Sequence, residues 1–486
     1  MKILFLIPPA LDNAPPAERI FGCNYGIYAQ PNIFILYPAT ILKNKGYDVS
    51  CIDFTVGNKN MDFNKFCKEN DFDIVIFYSV FLSKKTDLIA RDMLHKSNSN
   101  QKFIFMATEP TASPDDFLDK DTIVIRGEPE SRIAKIVEVL ENKRGMGHLQ
   151  DIPGISFLKE GKNIHQPGYE VIEDLDELPF PDRRLFNYRE YYNPKLSLQP
   201  FTTIVASRGC SFNCNFCVPN SMDFSREIEF KRQNKMSKPP VRLRSPQNII
   251  AECSMLKQAG YKSISFLDDQ FVWGEKRTIE ICQGIAPLKL EWSCLARADM
   301  LQDKAVVEAM ASAGCKVVAM GIESFNQEII DYVNKGCLVD KFYSAIKNLK
   351  KAGIEVELNI LIGSSPLETK ETIQKTFQEV IKLEPSYALF SVCTPFPYTK
   401  FNEKAKKEGW MVKPEYEAID PIKESFISYP HLTKSDLEEA IRQMYLRYYF
   451  RPGYILKKIC RFKNIKELSN KIKAARIILK YFVYKK

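Results

Sequence analysis

The stretch SRGCSFNCNFC, Ser207 to Cys217, places three thiols in eight residues: Cys210, Cys214 and Cys217, in the spacing C-x3-C-x2-C. Thiolates are metal ligands and redox groups, so their number separates the chemistries open to the stretch. A structural zinc site takes four ligands in a closed tetrahedron, and the next cysteine, Cys253, falls inside an expected helix. A redox pair needs only two thiols. Three thiolates suit a cubane [4Fe–4S] cluster in which one iron keeps no protein ligand and is open to a cofactor or substrate. Zinc, and three unrelated thiols sharing a loop, stand as the alternatives.

A loop of this kind must be held at the ends of rigid elements, and the flanking sequence supplies them. At 486 residues the chain exceeds one compact core. Its 45% hydrophobic and 27% charged content excludes a disordered or fibrous class. Residues 1–149 alternate apolar runs (KILFLI, VSCIDF, DIVIFY, KFIFMA, TIVIRG) with helical patterns, which predicts an α/β, doubly wound, Rossmann-like parallel sheet. Residues 150–200 read as a hairpin, GISFLKEGKNIHQ, and a linker, DLDELPFPDRRLF. Residues 201–400 hold six further strand–helix units, an incomplete (β/α)6 version of the eightfold TIM-like barrel. The three thiols follow the first of these strands, at the end where barrel enzymes place their chemistry. Residues 401–486 turn helical and basic.

The motif, with Phe216 before its last cysteine, resembles the signature of the radical S-adenosylmethionine enzymes. The resemblance implies that the open iron chelates S-adenosylmethionine, and that an electron from the cluster splits the sulfonium to give a hydrogen-abstracting 5′-deoxyadenosyl radical. It also implies cofactor-binding roles for residues at later strand ends: Asp268 and Asp269 in FLDDQF, Arg297 in CLARADM, and Glu323 with Ser324 in GIES. Taken singly, Asp268 reads equally as a helix cap and Arg297 as half of an ion pair. The loop LIGSSPLET departs from the family's Gly-Leu-Pro-Gly-Glu-Thr.

The first region is similar to the cobalamin-binding domain of a radical subfamily that includes anaerobic magnesium-protoporphyrin cyclases, hopanoid-modifying enzymes and cobalamin-dependent methylases. GEPE, residues 127–130, and the linker carry this likeness. The resemblance implies cobalamin between the sheet's carboxyl edge and the barrel mouth, and methylation of an unactivated carbon in a lipid, tetrapyrrole or other secondary metabolite. Cobalamin-free cyclisation or rearrangement is the alternative. The chain lacks an Asp-x-His-x-x-Gly loop, since its four histidines are His95, His148, His165 and His431, and ATEP at 107–110 stands where relatives have paired glycines.

Transfer-RNA methylthiotransferases, also radical enzymes, bind a second cluster through three N-terminal cysteines. Cys51 and Cys67 here lie in a strand and a helix, as small core residues do, while Cys23 is in a loop. From Arg451 to Lys486 twelve basic residues meet one acidic one, whereas the other 450 residues sum to −2. Ile472, Ala475, Leu479, and Phe482 or Val483 form one apolar stripe there. Such a helix suits an anionic membrane surface or packing against the barrel; nucleic acid fits less well, with only Tyr481 and Tyr484 to stack on bases. MKILFLIPPA reads as a strand and not a signal peptide. The expectation is a cytoplasmic, oxygen-sensitive enzyme served by flavodoxin or ferredoxin, with possible peripheral membrane contact.

Overall fold

The computed structural model describes residues 1–22, 28–56, 62–142, 146–187, 189, 191–234, 238–416 and 419–459. The loop of Cys23, Cys460, and the striped tail from Ile472 to Val483 with Tyr481 and Tyr484 lie outside the described residues.

All five strands expected in the first region form: β1 (Lys2–Ile7), β2 (Asp48–Asp53), β3 (Ile74–Tyr78), β4 (Lys102–Met106) and β5 (Thr122–Ile125). They pair in parallel in the order β2-β1-β3-β4-β5. The central strands are apolar at nearly every position because both faces are covered, and β3 is buried along its whole length. Their helices are α1 (Ile33–Asn44), α2 (Phe63–Glu69), α3 (Lys84–Ser97), the short α4 (Thr108–Ala112) and α5 (Ile133–Glu141). α1 and α5 pack on one face of the sheet, α2 and α3 on the other. This strand order puts the topological switch point between β1 and β3, where such sheets open a ligand crevice. The hairpin β6 (Ile155–Lys159) and β7 (Lys162–His165) extends the sheet antiparallel beyond β5, to seven strands.

The second sheet also follows the expected runs. Its members are β8 (Phe201–Ile204), β11 (Ser263–Phe266), β12 (Glu291–Leu295), β13 (Cys315–Glu323), β14 (Glu355–Ile362) and β15 (Tyr387–Val392), with β9 (Ser207–Arg208) and β10 (Arg242–Leu243) forming a separate two-stranded ribbon. The six strands are parallel neighbours in the order β15-β14-β13-β12-β11-β8. Helices α6 (Ser221–Gln233), α7 (Pro246–Gln258), α8 (Glu275–Ile285), α9 (Lys304–Ser312), α10 (Gln327–Tyr332), α11 (Val339–Lys351) and α12 (Lys370–Leu383) alternate with the strands. One set of alternate residues, including Phe266, Trp292, Met320, Leu358 and Phe390, builds the core beneath the helices. The other set, including Ser293, Ala319, Gly321, Asn359 and Ser391, is half-exposed on the concave face. Phe390 therefore faces the helices and not the barrel interior, whereas Tyr387 on the same strand stays half-exposed, and Phe396 beyond it packs on Phe81 and Tyr416.

The sheet is open between β8 and β15, six of the eight units of the closed barrel. Among the described residues three more helices follow: α13 (Lys400–Lys407), α14 (Lys434–Tyr449) and α15 (Pro452–Ile459). Among the described residues no helix is long and apolar enough to cross a membrane.

α6 has no apolar stripe, yet every residue from Ser221 to Phe230 is buried. It lies against the carboxyl edge of the first sheet: Ser221 Oγ shares a hydrogen bond with Tyr78 Oη at 2.7 Å, and Ser225 Oγ with Thr111 Oγ1 at 2.6 Å. Buried all round, it satisfies its neighbours with polar groups rather than with one apolar face.

Candidate functional site

The chain leaves β8 and passes through β9, which is two residues before Cys210. Gly209 has φ +91°, and a Cβ there would stand 3.0 Å from Arg226 Nη1, so both conformation and space call for glycine. Its N–H donates to Asp223 Oδ2 at 2.8 Å. Beyond it, the thiol loop is pinned from three sides. Lys238 Nζ donates to Phe212 O (2.7 Å), Asn334 Nδ2 to Asn213 O (2.9 Å), and Asn215 donates its N–H to Val333 O and its Nδ2 to Tyr332 O (2.9 and 2.8 Å). Phe401 N–H, at the start of α13, donates to Asn215 O at 2.9 Å.

Cys210, Cys214 and Cys217 are all half-buried and unpaired. Burial, with help from Asp269, pushes the Cys210 thiol up to about 11, and burial with Cys214 raises Cys217 further. Crowding and burial thus favour the protonated thiols, because as thiolates they would repel one another; bound iron would stabilise the thiolate form instead. Cations surround them: Lys238 interacts with Cys210 and Cys217, while Arg297 and Lys335 interact with Cys214. Among the described residues no three His, Cys, Asp or Glu side chains converge as ligands of a single ion.

The strand-end residues divide in two. Arg297 caps β12, lies 3.5 Å over the Phe212 ring of the thiol loop, and donates to Asp299 and to Lys335 O. Glu323, at the end of β13 with φ +63°, pairs with buried Lys335 at 3.0 Å. A Cβ on Gly321 would come within 2.5 Å of the Glu323 carboxylate, so that glycine makes room for the pair. Asp269 accepts Asn220 N–H at 2.6 Å through Oδ1; burial and Asp223 raise its pKa. Phe216 is half-buried against the barrel core.

Asp268 and Ser324 turn away from the thiols. Asp268 accepts Ala206 N–H through both oxygens at 3.1 Å and Ser207 Oγ at 2.5 Å, and burial pushes it up to about 6. It ties the root of the thiol loop to β11. Ser324 Oγ shares a bond with Thr376 Oγ1 on α12 (3.1 Å) and accepts Asn326 N–H. The loop after β14 closes on Glu368, which accepts Gly363 N–H, Ser364 N–H and Ser364 Oγ at 2.7 to 3.0 Å; its burial pushes the carboxyl up to about 7. Lys238, Lys335 and Tyr332, whose buried Oη has no hydrogen-bond partner, carry no sequence signal beyond their place near short turns.

At the first sheet's carboxyl edge, Arg19 occupies the end of β3. It donates to Tyr78 O at 2.6 Å and forms a forked, fully buried pair with Asp87 at 2.7 and 2.9 Å. His95, His148, His165 and His431 lie on α3, before β6, on β7 and beside Glu368, away from the switch-point crevice.

Residues 204–380 match the radical SAM superfamily. An uncharacterised methyltransferase of Pyrococcus horikoshii is 29% identical over 94% of this chain and 95% of its own length. The anaerobic magnesium-protoporphyrin IX monomethyl ester cyclase of Cereibacter sphaeroides is 25% identical over 68% of this chain, which spans about half (51%) of that protein. Among solved structures, the cobalamin-dependent S-adenosylmethionine radical enzyme OxsB, with aqua-cobalamin and S-adenosylmethionine bound, covers 99% of this chain and 72% of its own at 17% identity and TM-score 0.69. That likeness is one of fold.

Proposed function

We propose that this chain, whose residues 204–380 match the radical SAM superfamily, uses a [4Fe–4S] cluster and S-adenosylmethionine to methylate an unactivated carbon of a small-molecule substrate. Cys210, Cys214 and Cys217 would hold the cluster. Bound there, the cluster and S-adenosylmethionine supply one-electron cleavage of the sulfonium and abstraction of a hydrogen atom from carbon. The observation that carries this reading is the pinned loop of three half-buried thiols, with Lys238, Arg297 and Lys335 as its cationic surround. An orphaned polar atom fits the cofactor as well: Tyr332 Oη is a buried hydroxyl with nothing to bond.

The residues then divide the work. Three thiolates ligate, and the hydrogen bonds to Phe212, Asn213 and Asn215 keep their spacing. Arg297 and Lys335 place positive charge where an amino acid's carboxylate can pair with it, and Asp269 offers an acceptor. Asp268 and Ser324 act at one remove by fixing the loop root and α12. Small side chains on the concave face (Ser293, Ala319, Gly321, Ser391) leave room beside the cluster for substrate.

Methylation is favoured by the Pyrococcus relative's description, and cobalamin as methyl carrier by the OxsB likeness. Cobalt would receive no imidazole from the described edge residues. The Arg19–Asp87 pair and α6 fill the edge from β3 to β5. That filling favours the second reading, cobalamin-free cyclisation or rearrangement, which the cyclase relative also supports. A flavodoxin or ferredoxin would deliver the electron. Peripheral membrane contact through the tail is tested by liposome flotation with and without residues 451–486.

The deciding experiment is anaerobic reconstitution with iron, sulfide and hydroxocobalamin, followed by desalting. We expect about four irons per chain, stoichiometric cobalamin, and dithionite-dependent 5′-deoxyadenosine. An intact cluster without retained cobalamin selects the second reading. No 5′-deoxyadenosine from a loaded cluster rejects both, and a second cluster's worth of iron points to methylthiolation.

A further inference from the structure

Between the loop after β5 and the root of the thiol loop lies a set of buried charges that the functional reading leaves unused. Glu128 and Glu130, from the GEPE segment, are nearly inaccessible, as are Arg208, Arg226 and Arg242. Arg208 places Nη1 3.0 Å from Glu128 and Nη2 2.6 Å from Glu130. Arg242, paired with Arg208 across the β9–β10 ribbon, also donates to Glu128, and Arg226 Nε lies 3.7 Å from it. Tyr37 lies beneath the Arg208 guanidinium at 5.3 Å. The loop itself is held by Arg132, which donates to Glu128 O and Gly154 O, and by Thr111 Oγ1, which accepts Gly127 N–H at 3.0 Å.

Desolvating several charges is a poor way to gain stability, because the loss of hydration offsets most of the attraction. What the network does instead is fix position. The Arg208 side chain is gripped by two carboxylates, its carbonyl accepts from Arg226 at 3.4 Å, and the next N–H, of Gly209, is held by Asp223. The residue after that is Cys210.

We propose that Glu128 and Glu130 are positioning residues for the cluster, acting through Arg208 to set where Cys210 enters it. The first region thus contributes to the iron chemistry whether or not its own crevice holds a ligand. This rests on Cys210, Cys214 and Cys217 being the cluster ligands. Groups that orient metal ligands from outside typically alter metal affinity 10- to 100-fold when removed.

The test uses the full chain, reconstituted anaerobically, as wild type, as Glu128→Gln with Glu130→Gln, as Arg208→Lys, and as Glu229→Gln. Glu229 is an internal control, since it belongs to an equally buried pair, with Arg126 at 3.1 Å, that does not touch the thiol loop. Three readouts are taken: the rate at which a chelator strips iron, the EPR spectrum of the reduced cluster with and without S-adenosylmethionine, and urea unfolding. The double variant is expected to lose iron roughly 10-fold faster and to show a weakened S-adenosylmethionine-induced change in the spectrum. Arg208→Lys, which keeps the charge but loses the fork, should fall in between, and it carries the test if the double variant does not fold. Glu229→Gln should lose comparable stability with a wild-type cluster. A wild-type chelation rate and spectrum in the double variant and in Arg208→Lys would overturn the proposal, as would equal cluster damage in Glu229→Gln. A wild type that takes up no cluster fails the ligand assignment instead, which is a separate result.

Discussion

The two open edges of the six-stranded sheet face the same problem and meet it with opposite chemistry. An unclosed sheet leaves backbone N–H and C=O groups unpaired along its outer strands, and they must be bonded or exposed. On β8 the partners are arginines: Arg183 Nη2 donates to Thr203 O at 2.9 Å and Arg244 Nη1 to Val205 O at 2.7 Å. Both guanidiniums are anchored at 2.5 Å on the fully buried carboxylate of Glu252. On β15 the partners are tyrosines from α14 and α15. Tyr449 Oη serves both N–H and C=O of Ala388, Tyr445 accepts Phe390 N–H, Tyr448 donates to Pro385 O and Tyr454 to Ser386 O. The ionic edge runs directly into the thiol loop, where a guanidinium fork fixes direction as well as contact. The tyrosine edge leads away to the C-terminal helices, and there the rings also bury apolar area.

The sharpest way to break this contrast is Glu252→Gln. It leaves two buried guanidiniums facing one neutral amide, and removing one partner of such a set costs about 3–5 kcal/mol. Urea unfolding should show this as the largest loss among the edge variants. A loss no greater than that of a single hydroxyl deletion would mean the ionic edge is not ionic in its energetics. Acid attacks the same edge. Burial alone would raise the Glu252 pKa, but Arg183 and Arg244 outweigh it and hold the carboxyl below its ordinary 4.5. A folded pKa below the unfolded one gives stability that is present above about pH 4.5 and is lost as pH falls through the folded value. Glu252→Gln should flatten that part of the acid limb of the stability profile, and no tyrosine variant should.

Much of this frame was legible in the sequence, for a physical reason. Strands buried on both faces are continuous apolar runs, so DIVIFY and KFIFMA announced themselves, and C-x3-C-x2-C excludes most of its alternatives by ligand count. α6 escaped because a helix buried on all sides by polar bonding has no 3.6-residue apolar period. Asp268 and Ser324 stand at the expected strand ends, but their partners, Ala206 and Ser207 in one case and Thr376 in the other, were not legible, since they depend on which groups from distant elements lie beside the side chain. Lys335 was invisible because its role arises from Glu323 and the space over Gly321, twelve and fourteen residues away. Both edge devices are long-range as well: Arg183 lies 20 residues from Thr203, and Tyr449 lies 61 from Ala388.

The tyrosine edge should yield to alkali and to single deletions, each with a smaller effect than Glu252→Gln. Burial pushes the Tyr449 phenol up to about 12, against an ordinary 10. Here the folded pKa is the higher one, so the unfolded chain loses its proton first, and stability contributed below pH 10 declines as pH rises toward 12. Tyr449→Phe should remove part of that alkaline slope while leaving the acid limb untouched. Tyr448→Phe is the mildest test. It keeps the ring in the core and removes the hydroxyl's bond to the Pro385 carbonyl, so the expected cost is about 1 kcal/mol, with no change in iron content. If Tyr448→Phe cost as much as Glu252→Gln, or loosened the cluster, the two edges would not be separate devices, and the division between an edge that positions chemistry and an edge that only closes the sheet would have to be abandoned.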